Sequence, residues 1–370
     1  MRAVLDESVL DDPDRLAEAD TEGLLRALAT AGAQVRESLT LTAEAEVTGQ
    51  LAGVRPRSVL LAADPAADDT AVALAALAAG PEAAAPVVRH DGPALPVWAG
   101  ATDVLLAVAH SPTARNIPAL ADAAARRGLT VLGVGTADSP LHEACGRNRS
   151  PFVPLPAGRH PRAAFWGLLA PLLVAAGEIG LLGAPGEDLA RTADLLDGLA
   201  ERARPTSEIF GNPAKSLALE LGESLPVAWG SSPSAGAAAR RLAGQLAGVA
   251  AHPALWGTLP VAAHRLGGLL AGGSDPDDIF RDRVDEPDQV RPRLVLVRDA
   301  DEAVDARRLV EELVAAAARR GVPVSEVAAD EAAEPVGRLA SLVGLLDFTA
   351  VYVGLASGSN TAPFDDEGER

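Results

Sequence analysis

Short apolar runs alternate with helical patterns through the first half of the chain. Strands are predicted at 58–62, 86–89, 103–109, 129–134 and 152–155. Helices are predicted at 70–79 and 117–127, the second of them closed by Gly128. This alternation of strand and helix is typical of a parallel sheet that is covered by helices on both faces.

The second half of the chain repeats the same plan. Its strands are predicted at 225–229, 293–297 and 322–327, and its helices at 212–222, 235–251, 304–320 and 335–355, with Gly321 closing the third helix. A long apolar helix at 161–182 and further helical sequence up to 204 separate the two halves. The predicted fold class is therefore α/β, with two subdomains that each contain a parallel sheet flanked by helices.

An N-terminal segment precedes the first sheet. Asp20 is a suitable N-cap for a long helix at 21–45, where Leu24, Leu28 and Val35 share one apolar face. We predict N-terminal helices at 1–45, a first subdomain at 46–182, a connecting helix at 183–205 and a second subdomain at 206–370. An acidic loop is predicted at 272–292 and a polar, frayed tail at 357–370.

Charge and composition limit the partners and the compartment. The formal net charge is −19 and the basic residues are scattered, which speaks against a nucleic-acid partner and against binding to an anionic membrane. The apolar runs are interrupted before 18 residues and the acidic N-terminus lacks a signal-peptide pattern, so no membrane span is predicted. Cys145 is the only cysteine, so we predict no internal disulfide, no metal cluster and a cytoplasmic location.

Candidate ligand-binding hydroxyls follow several of the predicted strands. Generic cofactor motifs are missing from the sequence, so no cofactor is predicted. Doubly wound sheets bind ligands at the carboxyl ends of their strands, and hydroxyls near a helix N-terminus suit an anion. The candidates for substrate binding are Ser111, Thr113, Thr136, Ser231 and Ser232. The alternative is that they cap helices or lie in plain turns, and the Asp-rich loop at 62–69 is expected to repel phosphate.

Four motifs, in the same order and at similar spacing, resemble those of one enzyme family. They are LPAGRHPRAA at 155–164, NPAKSLA at 212–218 followed by LPVAWG at 225–230, WGTLPVAAH at 256–264, and DFTAVYVGLASG at 347–358. In these motifs the chain resembles the bacterial and archaeal bifunctional phosphoglucose/phosphomannose isomerases. The resemblance covers most of the chain. It implies two sugar-isomerase (SIS) subdomains, a homodimer, and a sugar phosphate as the small-molecule partner.

The same resemblance implies a reaction and two catalytic residues. The family interconverts aldose and ketose 6-phosphates, here mannose 6-phosphate or glucose 6-phosphate with fructose 6-phosphate. Arg162 matches an arginine that lies beside the reacting oxygens in the family, and a cation there stabilises an enediolate. His264 matches the histidine that opens the sugar ring, which in the family comes from the other subunit.

Several positions depart from the family pattern. Gly248 stands where the family has its general-base glutamate, and no acidic residue occurs from 242 to 273. The Gly/Ser-rich first loop of the family is replaced by 62–69, the phosphate loop is thinned to 110–116, and the C-terminal lysine is missing. Loss of a general base alone costs about 10²–10⁴-fold in rate.

Two functions therefore stay open at the level of the sequence. One is a phosphosugar isomerase that works with replacement residues. The other is a catalytically impaired SIS-domain pseudoenzyme that binds a phosphosugar or a protein partner. A third reading is a SIS scaffold that holds no ligand. The sequence alone does not decide whether the protein is active, which sugar phosphate it takes, or what replaces the missing base.

Overall fold

The computed structural model describes residues 5–183, 186–270 and 291–359. The predicted acidic loop at 272–292 lies outside the described residues except for its last two positions, and the predicted tail lies outside them beyond residue 359. The chain forms two compact units, which are described separately. The first-sheet unit comprises Ala29–Asp197 and Pro335–Gly337, and the second-sheet unit comprises Met1–Leu28, Gly198–Glu334 and Arg338–Arg370. The predicted subdomain boundaries stay a prediction.

Each unit contains one parallel sheet. The strands of the first-sheet unit are β1 (Val59–Ala63), β2 (Val87–Arg89), β3 (Val104–Ala109), β4 (Thr130–Thr136) and β5 (Phe152–Leu155), in the spatial order β2-β1-β3-β4-β5. Those of the second-sheet unit are β6 (Leu225–Gly230), β7 (Leu255–Thr258), β8 (Pro292–Arg298) and β9 (Val324–Ala328), in the order β7-β6-β8-β9. Neighbouring strands pair in parallel throughout, which confirms the predicted fold class.

Helices follow most of the strands and bury them. In chain order the described helices are α1 (Glu7–Leu10), α2 (Pro13–Ala19), α3 (Leu24–Ala29), α4 (Ala31–Glu44), α5 (Val47–Leu51), α6 (Asp68–Leu77), α7 (Asn116–Arg126), α8 (Pro140–Asn148), α9 (Phe165–Glu178), α10 (Gly186–Arg202), α11 (Pro213–Gly222), α12 (Pro233–Ala250), α13 (Val261–Leu266), α14 (Val304–Arg319) and α15 (Pro335–Ala356). Every residue of the central strand β3 is buried. A strand covered on both faces must be apolar along its whole length, as the VLLAVA sequence of β3 is.

The predicted helix at 21–45 is two helices, α3 and α4. Gly32, near the start of α4, lies so close to α10 that an added Cβ would stand 2.5 Å from the carbonyl oxygen of Ala193. Because such a distance is closer than atoms can approach, only glycine fits at this helix crossing. Asp20 accepts hydrogen bonds from two backbone N–H groups of α3, so it caps a helix that begins later than predicted.

Two further boundaries differ from the sequence pattern. The predicted helix at 161–182 begins with a 3-10 turn at Pro161–Ala163. Helix α9 then ends two residues before Gly180, whose φ of +80° is incompatible with a continued helix. Gly128 and Gly321 adopt φ of +84° and +64° directly after α7 and α14, which confirms both predicted helix ends. The strand β7 and the helices α8 and α13 were missed because their apolar runs are short.

Helix α15 is long and apolar enough, by length and composition alone, to cross a membrane. Within the structure, 78% of its most apolar stretch is buried. Gly354 of this helix packs against Val249 of α12, and Asp347 binds Arg241 of the same helix. These contacts are those of a core helix, and core helices of globular proteins pass the same test.

Candidate functional site

The carboxyl edge of the first sheet is built around Asp64, which follows β1 directly. Its carboxylate accepts hydrogen bonds from the backbone N–H groups of Ser111 at 2.7 Å and Ala67 at 2.9 Å, and from that of His110. We call these three N–H groups the amide nest. Asp64 is only 3% exposed, so the carboxylate and the nest are shielded from solvent.

Burial changes the proton affinity of two side chains at this edge. It raises the pKa of Asp64, against the opposing effect of the backbone N–H groups and of His110. It also lowers the pKa of His110, against the opposing effect of the Asp64 carboxylate. Desolvation therefore disfavours the charged form of both groups, and the hydrogen bonds described for Asp64 come from neutral amides.

Three of the predicted substrate-binding hydroxyls lie at this edge. The hydroxyl oxygens of Ser111 and Thr113 are 3.0 Å apart, and Thr136 donates a hydrogen bond to the carbonyl oxygen of His110. The N-cap of α7 is Arg115, without a side-chain hydrogen bond. Ser111 and Thr113 therefore do not cap α7, but the Ser111 hydroxyl accepts a hydrogen bond from the backbone N–H of Thr113 at 3.3 Å, as the turn alternative predicts. A role in substrate binding stays a prediction for all three hydroxyls.

A cavity of about 450 Å³ adjoins Asp64 in the first-sheet unit. It lies between the carboxyl ends of β1 and β2 and the start of α7. Its polar lining includes Arg89, whose guanidinium lies 2.5 Å from Asp68 and 3.5 Å from Asp91. Its apolar lining includes Ile117 and Leu120. Planar polar groups beside an apolar wall suit a small molecule that carries hydroxyl groups.

The serines at the carboxyl edge of the second sheet are both bound to Asp299, which follows β8. Ser232 is the N-cap of α12: its hydroxyl accepts a hydrogen bond from Ala235 N–H at 3.1 Å and donates one to Asp299 at 2.7 Å. The hydroxyl of Ser231 accepts a hydrogen bond from the backbone N–H of Asp299 at 2.9 Å. The structure thus shows Ser232 in the capping alternative, and substrate binding by either serine stays a prediction.

Arginines compensate the carboxylates at this second edge. Arg338 donates from Nε to Asp299 at 2.8 Å, and Arg298 forms an ion pair with Glu302. Burial acts to raise the pKa of Glu302, but hydrogen bonds from Arg298 and Ser231 outweigh it, so the pKa lies below its usual value. The ionised carboxylate is therefore the favoured form here.

The acidic partners of the two serines, and Arg338 beside them, were not predicted from the sequence. Asp299 and Glu302 belong to the run RDADE at 298–302, directly after β8, where the carboxyl end of a strand is the usual place for site residues. Their position directly after a strand is the feature from which they could have been predicted as site residues. Arg338 gave no comparable signal, because it is contributed by α15, far along the chain.

The predicted catalytic residues Arg162 and His264 lie in different units. Arg162 is half-buried in the 3-10 turn after β5, and its backbone N–H donates to Nδ1 of His160 at 3.2 Å. His264 is exposed on α13. Gly248, at the position that the resemblance assigned to the general base, is half-buried in α12. The catalytic roles of Arg162 and His264 stay predictions.

Lys215 of the NPAK motif is fully buried. Its ammonium group donates to the carbonyl oxygens of Pro205 and Ser207, each at 2.7 Å, and lies 5.5 Å from the centre of the Tyr352 ring. Burial lowers its pKa. Asn212 of the same motif is the N-cap of α11. The motif therefore holds the turn between α10 and α11.

The described residues contain neither a reactive thiol nor a group of side chains suited to a metal ion. Cys145 is buried in α8, and burial raises the pKa of its thiol to about 12, which makes the thiol unreactive near neutral pH. In the part of the chain that the structure describes, no three His, Cys, Asp or Glu side chains are grouped so that they could hold a metal ion.

Comparison with known sequences identifies relatives of this chain. Residues 210–365 match the family of bacterial phospho-glucose isomerase C-terminal SIS domains. The chain is also 27% identical over 196 residues to a bifunctional phosphoglucose/phosphomannose isomerase of Caldicellulosiruptor bescii. That alignment covers 53% of this chain and 56% of the relative, so the chain matches about half the length of this curated protein.

Solved structures share the fold at low sequence identity. A hypothetical protein of Thermus thermophilus has a TM-score of 0.69 at 15% identity, with 96% of this chain and 90% of that chain covered. A protein of Silicibacter pomeroyi described as a phosphosugar isomerase has a TM-score of 0.65 at 17% identity, with coverages of 90% and 97%. The C-terminal domain of glucosamine-fructose-6-phosphate aminotransferase from Francisella tularensis has a TM-score of 0.59 at 10% identity, with coverages of 92% and 97%.

The two parallel sheets and these structural neighbours define the class: the chain is a SIS-domain protein with a phosphosugar isomerase-like fold. Within that class, residues 210–365 match the C-terminal SIS domain of bacterial phospho-glucose isomerases, and the chain is a distant relative of a bifunctional phosphoglucose/phosphomannose isomerase. The resemblance seen in the sequence motifs is thereby confirmed.

Proposed function

We propose that this protein is a catalytically impaired member of its family that binds a sugar-derived ligand instead of isomerising it. Gly248 carries this proposal. A glycine has no carboxylate with which to move a proton between C1 and C2 of a sugar, and the stretch from 242 to 270 contains no acidic residue that could take over from a neighbouring position.

Hydrogen-bonding groups at both edges are already bonded to carboxylates of the protein, which supports the same proposal. At the second edge Ser231 and Ser232 are bonded to Asp299, and at the first edge the amide nest is bonded to Asp64. Carboxylates at both edges disfavour a phosphate dianion by like-charge repulsion. Weaker phosphate binding would remove the binding energy on which the family reaction relies.

A second candidate is the family reaction itself. Interconversion of mannose 6-phosphate or glucose 6-phosphate with fructose 6-phosphate is favoured by the similarity to the bifunctional isomerases. Arg162 and His264 are present at the matched motif positions, which also favours it. This candidate requires a general base other than residue 248.

The proposal extends to partners and compartment. By family resemblance we propose a homodimer in the cytoplasm. The net charge of −19 supports a protein without a nucleic-acid or membrane partner. A protein partner in place of the sugar ligand is the remaining form of the impaired-enzyme hypothesis.

A coupled isomerase assay with mannose 6-phosphate and glucose 6-phosphate tests the proposal. We expect no turnover above background for the unmodified protein. Gly248→Glu is expected to raise the rate by up to about 10²-fold, since it returns a carboxylate to the matched position. Gly244→Glu is the matched control, because it adds the same side chain one turn earlier, where an added Cβ meets no atom within 4 Å.

The assay separates the two candidates. Turnover by the unmodified protein that His264→Ala abolishes would establish the isomerase and overturn the proposal. In the absence of turnover, a rise in melting temperature with either sugar phosphate or its parent sugar would support ligand binding.

A further inference from the structure

The amide nest at the first edge has the construction of an anion site. Backbone N–H groups from two loops, one after β1 and one after β3, converge on a single buried point. Convergent backbone amides at the carboxyl edge of a parallel sheet are a common way to hold phosphate in proteins. Here the point is taken by the carboxylate of Asp64, which belongs to the protein itself.

We propose that Asp64 is a specificity-determining residue that occupies the amide nest in place of a ligand phosphate, so that the adjoining cavity receives the hydroxyl groups of a sugar and not its phosphate. This inference rests on the proposed function, in that it assumes a sugar-derived ligand. It names which part of that ligand the first edge accepts.

The geometry of Asp64 supports exclusion. The bond to Ser111 N–H is 2.7 Å and the bond to Ala67 N–H is 2.9 Å, which are good distances for charge-assisted hydrogen bonds. A phosphate would have to displace the carboxylate from both. The carboxylate is covalently attached to β1 and loses little freedom on binding, whereas a free ligand loses much more.

The lining of the cavity supports the choice of hydroxyl groups. The lining carries two guanidinium groups, those of Arg89 and Arg115, against the three carboxylates of Asp64, Asp68 and Asp91. Arg89, at the end of β2, is engaged by Asp68 and Asp91. Its charge is therefore balanced before any ligand enters. Paired carboxylate and guanidinium groups accept and donate hydrogen bonds to neutral hydroxyls without a net charge to compensate. The apolar wall of Ile117 and Leu120 can receive the ring face of a sugar.

Phosphate binding to charge-matched variants tests this inference. Inorganic phosphate and glucose 6-phosphate are titrated calorimetrically into the full-length protein and into Asp64→Ser. The substitution removes the carboxylate and leaves a small hydroxyl beside the three N–H groups. We expect at least about tenfold tighter phosphate binding by Asp64→Ser than by the unmodified protein, since an ion then bonds the free amides.

Asp194→Asn is the matched control. It removes the same charge from the first-sheet unit, at a side chain that is 78% exposed and does not line the cavity. We expect it to change phosphate affinity by less than about threefold. Glucose is titrated alongside, and an advantage of glucose 6-phosphate over glucose is expected only in Asp64→Ser.

Stability measurements guard against a misfolded variant. Asp64→Ser is expected to melt at a lower temperature and to recover with added phosphate, because phosphate replaces the lost bonds to the nest. Asp64→Asn provides a second variant of nearly unchanged shape, with the same direction of change.

Two outcomes would overturn the inference. One is phosphate binding by the unmodified protein as tight as that of Asp64→Ser. The other is an equal gain in Asp194→Asn, which would show that the effect comes from overall charge alone. Neither outcome depends on turnover, so failure of this inference is distinguishable from failure of the proposed function, which the isomerase assay alone decides.

Discussion

The two carboxyl edges use a similar device with different partners. In each, an aspartate at the end of one strand holds the loop that follows a neighbouring strand: Asp64 holds the loop after β3, and Asp299 holds the loop after β6. Asp64 is bonded by backbone amides, whereas Asp299 is bonded by Arg338 and by Ser232. The first carboxylate is thus bonded by backbone dipoles, and the second has the guanidinium group of an arginine bonded to it.

This difference gives the two edges different roles: the first edge is built like a ligand site, whereas the contacts at the second edge stabilise the fold. Backbone amides are positioned by the fold, so they keep their places when the carboxylate is removed, and an anion can replace it. An arginine is a long, flexible side chain that moves when its partner is lost. The first edge is therefore the better place to look for ligand specificity, and the second edge mainly stabilises the start of α12.

Asp347→Ala is expected to have the largest effect on stability, because Asp347 belongs to an arginine–aspartate ion pair that is buried in the second-sheet unit. Arg241 binds Asp347 through hydrogen bonds of 2.8, 2.9 and 3.1 Å, and both side chains are under 10% exposed. Removal of one partner leaves a buried charge, so the free energy of unfolding should fall by about 3–5 kcal/mol. Urea unfolding followed by circular dichroism measures it.

An exposed pair in the first-sheet unit is the control for that measurement. Asp194 binds Arg36 with its own side chain 78% exposed. Asp194→Ala should therefore lower the free energy of unfolding by less than about 1 kcal/mol. Similar losses in the two variants would contradict the view that buried arginine pairs support the second-sheet unit.

A smaller effect is expected from the predicted ligand hydroxyls themselves. Ser232 caps α12 and binds Asp299, so Ser232→Ala should cost about 1 kcal/mol of stability. Ser111 contributes its backbone N–H to Asp64 and its side chain caps no helix, so Ser111→Ala should cost less than about 0.5 kcal/mol. Thermal unfolding of both variants measures the two losses. A larger loss in Ser111→Ala than in Ser232→Ala would contradict the different roles of the two edges.

The smallest expected effect is a difference in pH dependence. Burial raises the pKa of Asp64, so the folded state binds its proton more readily than the unfolded state. Ionisation of Asp64 therefore lowers stability as pH rises above the ordinary aspartate value of about 3.9. Glu302 has a lowered pKa, so its contribution is present above about pH 4.3 and is lost as pH falls through the lowered value.

Unfolding of two variants across this pH range tests the contrast. The stability of the unmodified protein relative to Asp64→Asn should decline as pH rises. Its stability relative to Glu302→Gln should increase over the same change. If stability relative to both variants changed in the same direction with pH, burial would not affect the two carboxylates differently, and the contrast would be wrong.

The elements of the fold were largely predictable from local sequence. Apolar runs such as VLLAVA at 104–109 have no other stable place than a sheet covered on both faces, and glycines such as Gly128 end helices where a left-handed residue is needed. The break between α3 and α4 was not predictable in this way. It coincides with the approach of α10 to Gly32, which is a contact between distant parts of the chain.

The candidate site was predictable only in its chemistry. The hydroxyls of Ser111 and Ser232 could be named from their positions after strands, and the missing base at Gly248 from its motif. That Ser111 would offer its N–H to Asp64, while Ser232 would offer its hydroxyl to Asp299, depends on the direction in which each loop leaves its strand.

By itself, the sequence determined that this protein is α/β, that it has two parallel sheets, and that position 248 has no carboxylate, because these follow from local patterns and residue identity. Only the tertiary structure decided what the aspartates do. The charge of an aspartate in a loop can repel a phosphate from a distance, or its carboxylate can occupy the position where the phosphate would bind. The choice depends on whether amides from another strand converge on it, and that is a property of the folded sheet.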